Sequence, residues 1–166
     1  LTSGANGTFQ NCTFSENIAG GAGGAIMSQD RSFINIAFST FTENMGFEGG
    51  AICTAASDIE QSKAHMDSCS FEHNLSINNG GAISASEASL VTINDLSCFH
   101  NKAVVKGGCI YISNFAVVTC LASVFSNNTA KDGGAVAMDE TSGLFVFAVV
   151  MEMNVATASG GAFFTP

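Results

Sequence analysis

The sequence predicts an all-β protein, a parallel β-helix (β-solenoid) of six coils of about 27 residues each. The first observation is a glycine doublet that is followed by a small residue and an apolar one. The second is Phe-x-x-Asn, or a relative of it, a few residues upstream of each doublet. The first glycines of the doublets are 26, 31, 27, 26 and 27 residues apart, at Gly23, Gly49, Gly80, Gly107, Gly133 and Gly160. Two motifs that share one period predict a single solenoid domain over residues 1–166, with one coil per repeat.

The residues between the motifs predict strands. They are rich in Val, Ile, Phe and Thr in short runs interrupted by Gly and Asn, whereas helical repeats need 10 or so residues with apolar spacings of three and four. A propeller blade needs four strands, and about 27 residues hold only two or three short ones with their turns. The parallel β-helix is the solenoid that fits.

Two columns of side chains are expected to point inward and stack from coil to coil. The aromatic column contains Phe14, Phe41, Phe71 and Phe125, with Cys98 and Met151 at the equivalent places. The second column, five residues earlier, contains only apolar residues: Phe9, Ile36, Met66, Ile93, Cys120 and Val146. Stacked columns bury large apolar areas without help from another domain.

Asparagines and glycines are expected at the turns. The asparagines are Asn17, Asn44, Asn74, Asn101, Asn128 and Asn154. We expect them to adopt the left-handed conformation and to form an amide ladder between coils. Each Gly-Gly pair is expected to turn the chain at positive φ and to bring it close to the next coil.

The paired Gly-Gly-Ala-Ile and Phe-x-x-Asn motifs resemble the repeats of the chlamydial polymorphic outer-membrane proteins. The resemblance covers nearly the whole chain, from Phe9 to Phe164. It implies a right-handed β-helix like an autotransporter passenger, located on a cell surface, in a family associated with adhesion.

Composition favours a rigid extracellular or cell-surface protein. The chain has 46% hydrophobic and 11% charged residues, with a net charge of −9. Nucleic acids and anionic membranes are poor partners, because both are bound through Lys and Arg. No apolar run reaches the ~18 residues that would span a bilayer. Because the chain begins at Leu1, we expect a processed product or an excerpt.

The six cysteines are too sparse to suggest a disulfide scaffold. Cys98 and Cys120 lie in inward columns and are expected to be buried thiols. Cys12 and Cys69 share a column but lie two coils apart, about 9.6 Å, so they are not expected to pair.

Asn-x-Ser/Thr sequons make Asn6, Asn11 and Asn127 possible glycosylation sites in a eukaryotic host, and the protein a possible glycoprotein. Asn74 also lies in a sequon, but its ladder position favours an internal amide. In a bacterium all four would be bare.

No catalytic residue, metal site or cofactor is predicted. Glu43, His73 and His100 share one column and could form a metal or protonation cluster, but a water-facing turn is the favoured interpretation. The alternative function is a polysaccharide-acting β-helix lyase or hydrolase, or its inactive carbohydrate-binding relative. Against it, acids such as Asp58, Glu60 and Asp139 are scattered.

One surface is a possible interaction strip. If the isoleucines after the glycine doublets point inward, the Ala column faces outward, together with Met27, Tyr111 and Phe164. That strip would be flat and weakly polar. In a second interpretation, the Gly-Gly turn rotates the strand so that both columns are partly buried.

The function that follows is that of a non-enzymatic adhesin-like scaffold, or of a structural filament subunit that assembles through its open ends. Neither end of the sequence resembles a cap. Expected partners are copies of the chain, end to end or laterally, neighbouring coils of a longer chain, or a host-surface or glycan ligand. The longer third connection, residues 58–63, is either a recognition loop or tolerated slack.

Overall fold

A computed structural model describes residues 1–2, 4–56 and 61–166, and all the regular structure in these ranges is β-strand. The predicted β-solenoid is confirmed: the chain winds through about six coils, and each strand pairs in parallel with its equivalents in the adjacent coils. Asp58, Glu60 and half of the longer connection, which figure in the expectations from the sequence, lie outside the described residues. No helix within the described ranges is long and apolar enough to cross a membrane.

Four parallel sheets form the sides of the coil. Sheet 1 consists of β1 (Asn6–Gln10), β4 (Phe33–Ala37), β8 (Lys63–Asp67), β12 (Leu90–Asn94), β16 (Val117–Leu121) and β20 (Gly143–Phe147). Sheet 2 consists of β2 (Thr13–Ser15), β5 (Thr40–Thr42), β9 (Ser70–Glu72), β13 (Ser97–Phe99), β17 (Val124–Ser126) and β21 (Val150–Glu152).

Sheets 3 and 4 complete each coil. Sheet 3 consists of β6 (Met45–Gly46), β10 (Leu75–Ser76), β14 (Lys102–Ala103), β18 (Thr129–Asp132) and β22 (Val155–Ser159). Sheet 4 consists of β3 (Ile26–Gln29), β7 (Ile52–Ala55), β11 (Ile83–Ala85), β15 (Ile110–Ile112), β19 (Val136–Met138) and β23 (Phe163–Phe164).

The core is built from the columns that the repeats predict. Phe14 pairs in register with Phe41, and Phe41 with Phe71, and their rings stack with centroids 4.6 Å apart at both steps. Phe41 and Phe71 are fully buried, and so are Ile36, Met66 and Ile93 of the second column. Stacking of equivalent apolar side chains from coil to coil packs the interior closely.

The ladder asparagines bond from coil to coil. Asn44 Nδ2 donates to Asn74 Oδ1 at 3.0 Å, and Asn74 Nδ2 donates to Asn101 Oδ1 at 2.9 Å. Each amide oxygen also accepts the backbone N–H of the preceding ladder residue, as Asn101 Oδ1 does from Asn74 N at 2.9 Å. Asn44, Asn74, Asn101 and Asn128 have no exposed surface. The side chains therefore satisfy buried backbone groups at a turn that lacks sheet pairing.

The prediction that these asparagines adopt the left-handed conformation is wrong, because the residue before each of them adopts it instead. Positive φ angles of 51–56° belong to the residue before each ladder asparagine: Glu16, Glu43, His73, His100, Asn127 and Met153. The left-handed residue makes the turn and points outward, and the asparagine that follows it can then direct its amide inward.

The two glycines of each doublet have different roles. The first has a φ of 63–66°, a left-handed conformation that L side chains rarely adopt. At the second, the coils approach too closely for a side chain. A Cβ at Gly81, for example, would lie 2.0 Å from the carbonyl oxygen of Gly108 in the next coil.

The prediction of a buried free thiol at Cys98 is wrong, because Cys98 forms a disulfide with Cys109 across the core. In coils 2, 3 and 5 the equivalent positions hold a phenylalanine and an alanine, such as Phe71 and Ala82. The pair of cysteines thus occupies the space of a large and a small side chain. Cys120 is a buried free thiol, and Cys12 and Cys69 are unpaired.

A candidate binding groove on sheet 4

The surface of sheet 4 is a groove rather than a flat strip. Its floor contains the outward column that begins with Met27 and Cys53 and continues to Tyr111. The groove has a volume of about 400 Å³ and is lined by Ala22, Met27, Gln29, Asp30, Glu48, Cys53, Ala55, Ser84, Ser86, Glu87, Tyr111, Ser113 and Asn114. We call this surface the sheet 4 groove.

The prediction that the Ala column faces outward is wrong. The other interpretation, in which both columns of this strand are at least partly buried, describes sheet 4 better. Ala51, Ala82 and Ala135 have no exposed surface. This column belongs to the core, where its member Cys109 is bonded to Cys98 of the aromatic column. The column two positions later, which includes Met27 and Tyr111, lines the groove. Met27 and Tyr111 are half-buried on the groove floor.

Phe164 does not line the groove. It lies in the same outward column in the last coil, and the Lys106 ammonium lies 5.7 Å from the centre of its ring. A cation at that distance is attracted by the negative face of the ring.

The two walls come from the turns on either side of sheet 4. Ala22 and Glu48 lie directly before a glycine doublet and form one wall. Asp30, Glu87 and Asn114 form the other, and each opens a tight turn with a φ of 53–57°. The turns recur in register, so the walls run along the axis of the solenoid.

Glu48 is the most unusual wall residue. Its Oε1 accepts hydrogen bonds from Asn78 Nδ2 at 2.5 Å and Asn79 Nδ2 at 3.2 Å. Its Oε2 is buried and has no hydrogen-bond partner. Burial raises the pKa of Glu48, and the bonds from Asn78 and Asn79 oppose this shift only in part. A carboxylate oxygen without a donor is costly to desolvate.

The floor stays uncharged at neutral pH. Burial, reinforced by the negative charge of Glu48, raises the pKa of Cys53 to about 12. Burial also raises the pKa of Tyr111, with smaller effects from Asp139 and Glu48. The groove therefore presents a neutral thiol and phenol between walls that carry the carboxylates of Asp30, Glu48 and Glu87. None of the described lining residues is a Lys, Arg or His.

Sequence reasoning missed the walls. The position before each glycine doublet holds a different residue in every coil: Ala22, Glu48, Asn79, Lys106, Asp132 and Ser159. A position that varies from coil to coil beside a repeated motif is not needed for the fold, and it is therefore a candidate surface position. That signal was available from the alignment of the repeats.

The other predicted surface sites remain apart from the groove. Asn6 and Asn11 are exposed, whereas Asn127 is half-buried and donates from Nδ2 to Ser126 Oγ at 2.8 Å. The rings of His73 and His100 stack 5.0 Å apart, with Glu72 Oε1 3.5 Å from His73 Nε2. In the described part of the chain, no three or more His, Cys, Asp and Glu side chains are grouped to hold a metal ion.

Comparison with known proteins supports the repeat pattern. Residues 11–29, 68–86 and 122–138 match the family model described as the Chlamydia polymorphic membrane protein repeat. A curated relative, "Probable outer membrane protein pmp7" of Chlamydia pneumoniae, is 36% identical over 84 residues, which are 47% of this chain and 9% of the relative. The chain thus spans under a tenth of the length of that relative. No solved structure matches.

Proposed function

We propose that this chain, which is built from Chlamydia polymorphic membrane protein repeats, acts at the cell surface as a non-enzymatic, adhesin-like scaffold. The outer-membrane name of the relative supports the cell-surface location. The scaffold is the stack of coils, and the binding surface is the sheet 4 groove.

One observation carries this proposal: the repeated residues are buried and the residues of the groove vary. Phe41, Phe71, Asn44 and Asn74 have no exposed surface, so the side chains of these motifs in coils 2 and 3 cannot contact a partner. The groove positions, in contrast, change chemistry from coil to coil while the backbone stays in register. A rigid backbone with variable exposed side chains is how solenoid proteins build binding surfaces.

Adhesion of coated beads to host cells tests the proposal. Beads coated with the purified chain are added to cultured epithelial cells, and the soluble chain is used as competitor. We expect saturable binding that the soluble chain abolishes. If beads coated with an unrelated β-helix of similar net charge adhere equally well, the adhesin-like role is wrong.

A filament subunit is the second candidate, and the pairing of the coils favours it. Adjacent coils pair in parallel through equivalent strands in the same register, so the same contacts can join a coil of one copy to a coil of another. Electron microscopy of the purified chain should then show rods longer than six coils, and dispersed short particles would count against assembly.

A further inference from the structure

We infer that the sheet 4 groove binds an extended peptide segment through a lysine or arginine side chain whose charged end lies against Glu48. The inference deepens the proposed adhesin-like role and rests on it, because it names the class of partner that the groove takes.

The first argument is the unsatisfied acceptor. Glu48 Oε2 is buried without a donor, while Oε1 of the same carboxylate already accepts from two asparagine amides. A cationic group placed against this half-buried carboxylate would offset the cost of its desolvation, because charge-assisted interactions are strong in such an environment.

The second argument is charge. Among the described residues, the lining carries three carboxylates, from Asp30, Glu48 and Glu87, and no basic side chain. Lys106, in the same column as Glu48 two coils away, lies over the ring of Phe164 instead. The field along the groove therefore favours a cation and opposes an acidic segment.

The third argument separates a peptide from a carbohydrate. Lysine and arginine side chains only donate hydrogen bonds, whereas every sugar hydroxyl donates and accepts. The groove also contains hydroxyl and amide side chains, but its three carboxylates only accept hydrogen bonds, and Met27, Ala55 and the ring of Tyr111 give its floor apolar surface. Such a floor suits the methylene stem of a basic side chain, with its charged end in the acidic wall.

The groove also has the right length for a short strand. It extends from the first coil, at Met27, to the fourth, at Tyr111. Three coil rises of about 4.8 Å make roughly 14 Å, which is the span of about four extended residues. One basic side chain in such a segment can reach Glu48 in the second coil.

Fluorescence anisotropy with the whole chain tests the inference. The probes are three fluorescein-labelled hexapeptides that differ only at one central residue, which is lysine, norleucine or glutamate. We expect the lysine peptide to bind saturably, with an affinity at least tenfold above that of the norleucine peptide. The glutamate peptide should not bind. Equal affinities for the lysine and norleucine peptides would overturn the inference.

Matched variants locate the site. Glu48→Gln keeps the shape of the side chain and removes its charge, and we expect at least a tenfold loss of affinity for the lysine peptide. Glu43→Gln makes the same change at an exposed position outside the groove and should leave affinity unchanged. If Glu48→Gln does not fold, Glu87→Gln on the exposed opposite wall should still weaken binding severalfold. Unchanged affinity in the folded groove variant would contradict the proposed site.

Three further outcomes bear on this inference and on the adhesin-like role. A chitosan oligosaccharide that binds more tightly than the lysine peptide would show that the occupant is an amino sugar and that the peptide inference is wrong. If beads adhere to cells equally with the wild type and Glu48→Gln, and no peptide binds, the groove inference fails and adhesion stands. If the lysine peptide binds as expected and beads do not adhere, the groove stands and the adhesin-like role fails.

Discussion

At the scale of single residues, the second glycine of each doublet sets the distance between coils. A Cβ at Gly81 would meet the Gly108 carbonyl oxygen at 2.0 Å and the backbone of Lys102 at 2.7 Å. Backbone atoms cannot move aside as a flexible side chain can. We expect Gly81→Ala to cost about 3 kcal/mol or more in the free energy of unfolding, measured by urea titration. Gly20→Ala is the control, because nothing lies within 4 Å of its Cβ, and it should change stability by less than about 0.5 kcal/mol. Similar losses for both variants would contradict the close-approach explanation.

The Glu48 carboxylate is expected to make stability depend on pH. Burial raises the pKa of Glu48 in the folded chain, so the folded state binds this proton more tightly than the unfolded state does. Its contribution is therefore fully present below the unfolded pKa and is lost as pH rises through the folded value. The difference in stability between the wild type and Glu48→Gln should fall as pH rises above the ordinary glutamate pKa of about 4.3, with urea midpoints as the measurement. A difference that stays constant with pH would show that Glu48 is as solvated in the folded state as in the unfolded one.

At the scale of elements, coil 4 differs from the others in its Cys98–Cys109 bridge. The bridge closes a loop of 11 residues, and reduction should lower stability by roughly 3 kcal/mol by the chain-entropy argument. The double variant Cys98→Phe with Cys109→Ala restores the residues of coils 2, 3 and 5. The stability of the double variant should not depend on reductant. Cys98→Ser alone should lower stability, because the smaller side chain leaves a space in the core. Thermal melting with and without dithiothreitol distinguishes them, and equal sensitivity of wild type and double variant would exclude the bridge as the cause.

The elements also show how far the sequence predicts the molecule. The columns follow from the sequence, because one period places Phe14, Phe41 and Phe71 at the same point of each coil and parallel pairing keeps that register. The bridge did not follow, because Cys98 and Cys109 belong to different columns, and only the geometry of the turn between them brings their Cα atoms to 6.4 Å. The groove did not follow for a similar reason. Its depth comes from turns that raise Glu48 and Asp30 above the sheet. The periodicity of a sequence predicts which way side chains point, but it does not predict how far a turn projects from the sheet.

At the scale of the whole molecule, burial changes along the solenoid. The inward columns are fully buried in coils 2 to 5, whereas Val146 in coil 6 of these 166 residues is about half exposed. The outward residues Phe145 and Phe147 add a further exposed apolar surface beside it. Because a solenoid gains stability from contacts between adjacent coils, a coil with one neighbour should open most easily.

The same surface should determine whether copies of the chain associate. In the purified 166-residue chain, replacing Val146 by lysine puts a charge on the exposed face of coil 6, where a coil of another copy would have to pack, and should abolish concentration-dependent association. Phe115→Lys is the matched control: the side chain is 68% exposed, but it lies at a turn on the side of the rod, so the substitution should leave association unchanged. Sedimentation velocity over a range of concentrations measures both variants. If Phe115→Lys disperses the wild-type assembly and Val146→Lys does not, copies associate laterally through the sides of the solenoid, and the face of coil 6 is not the interface.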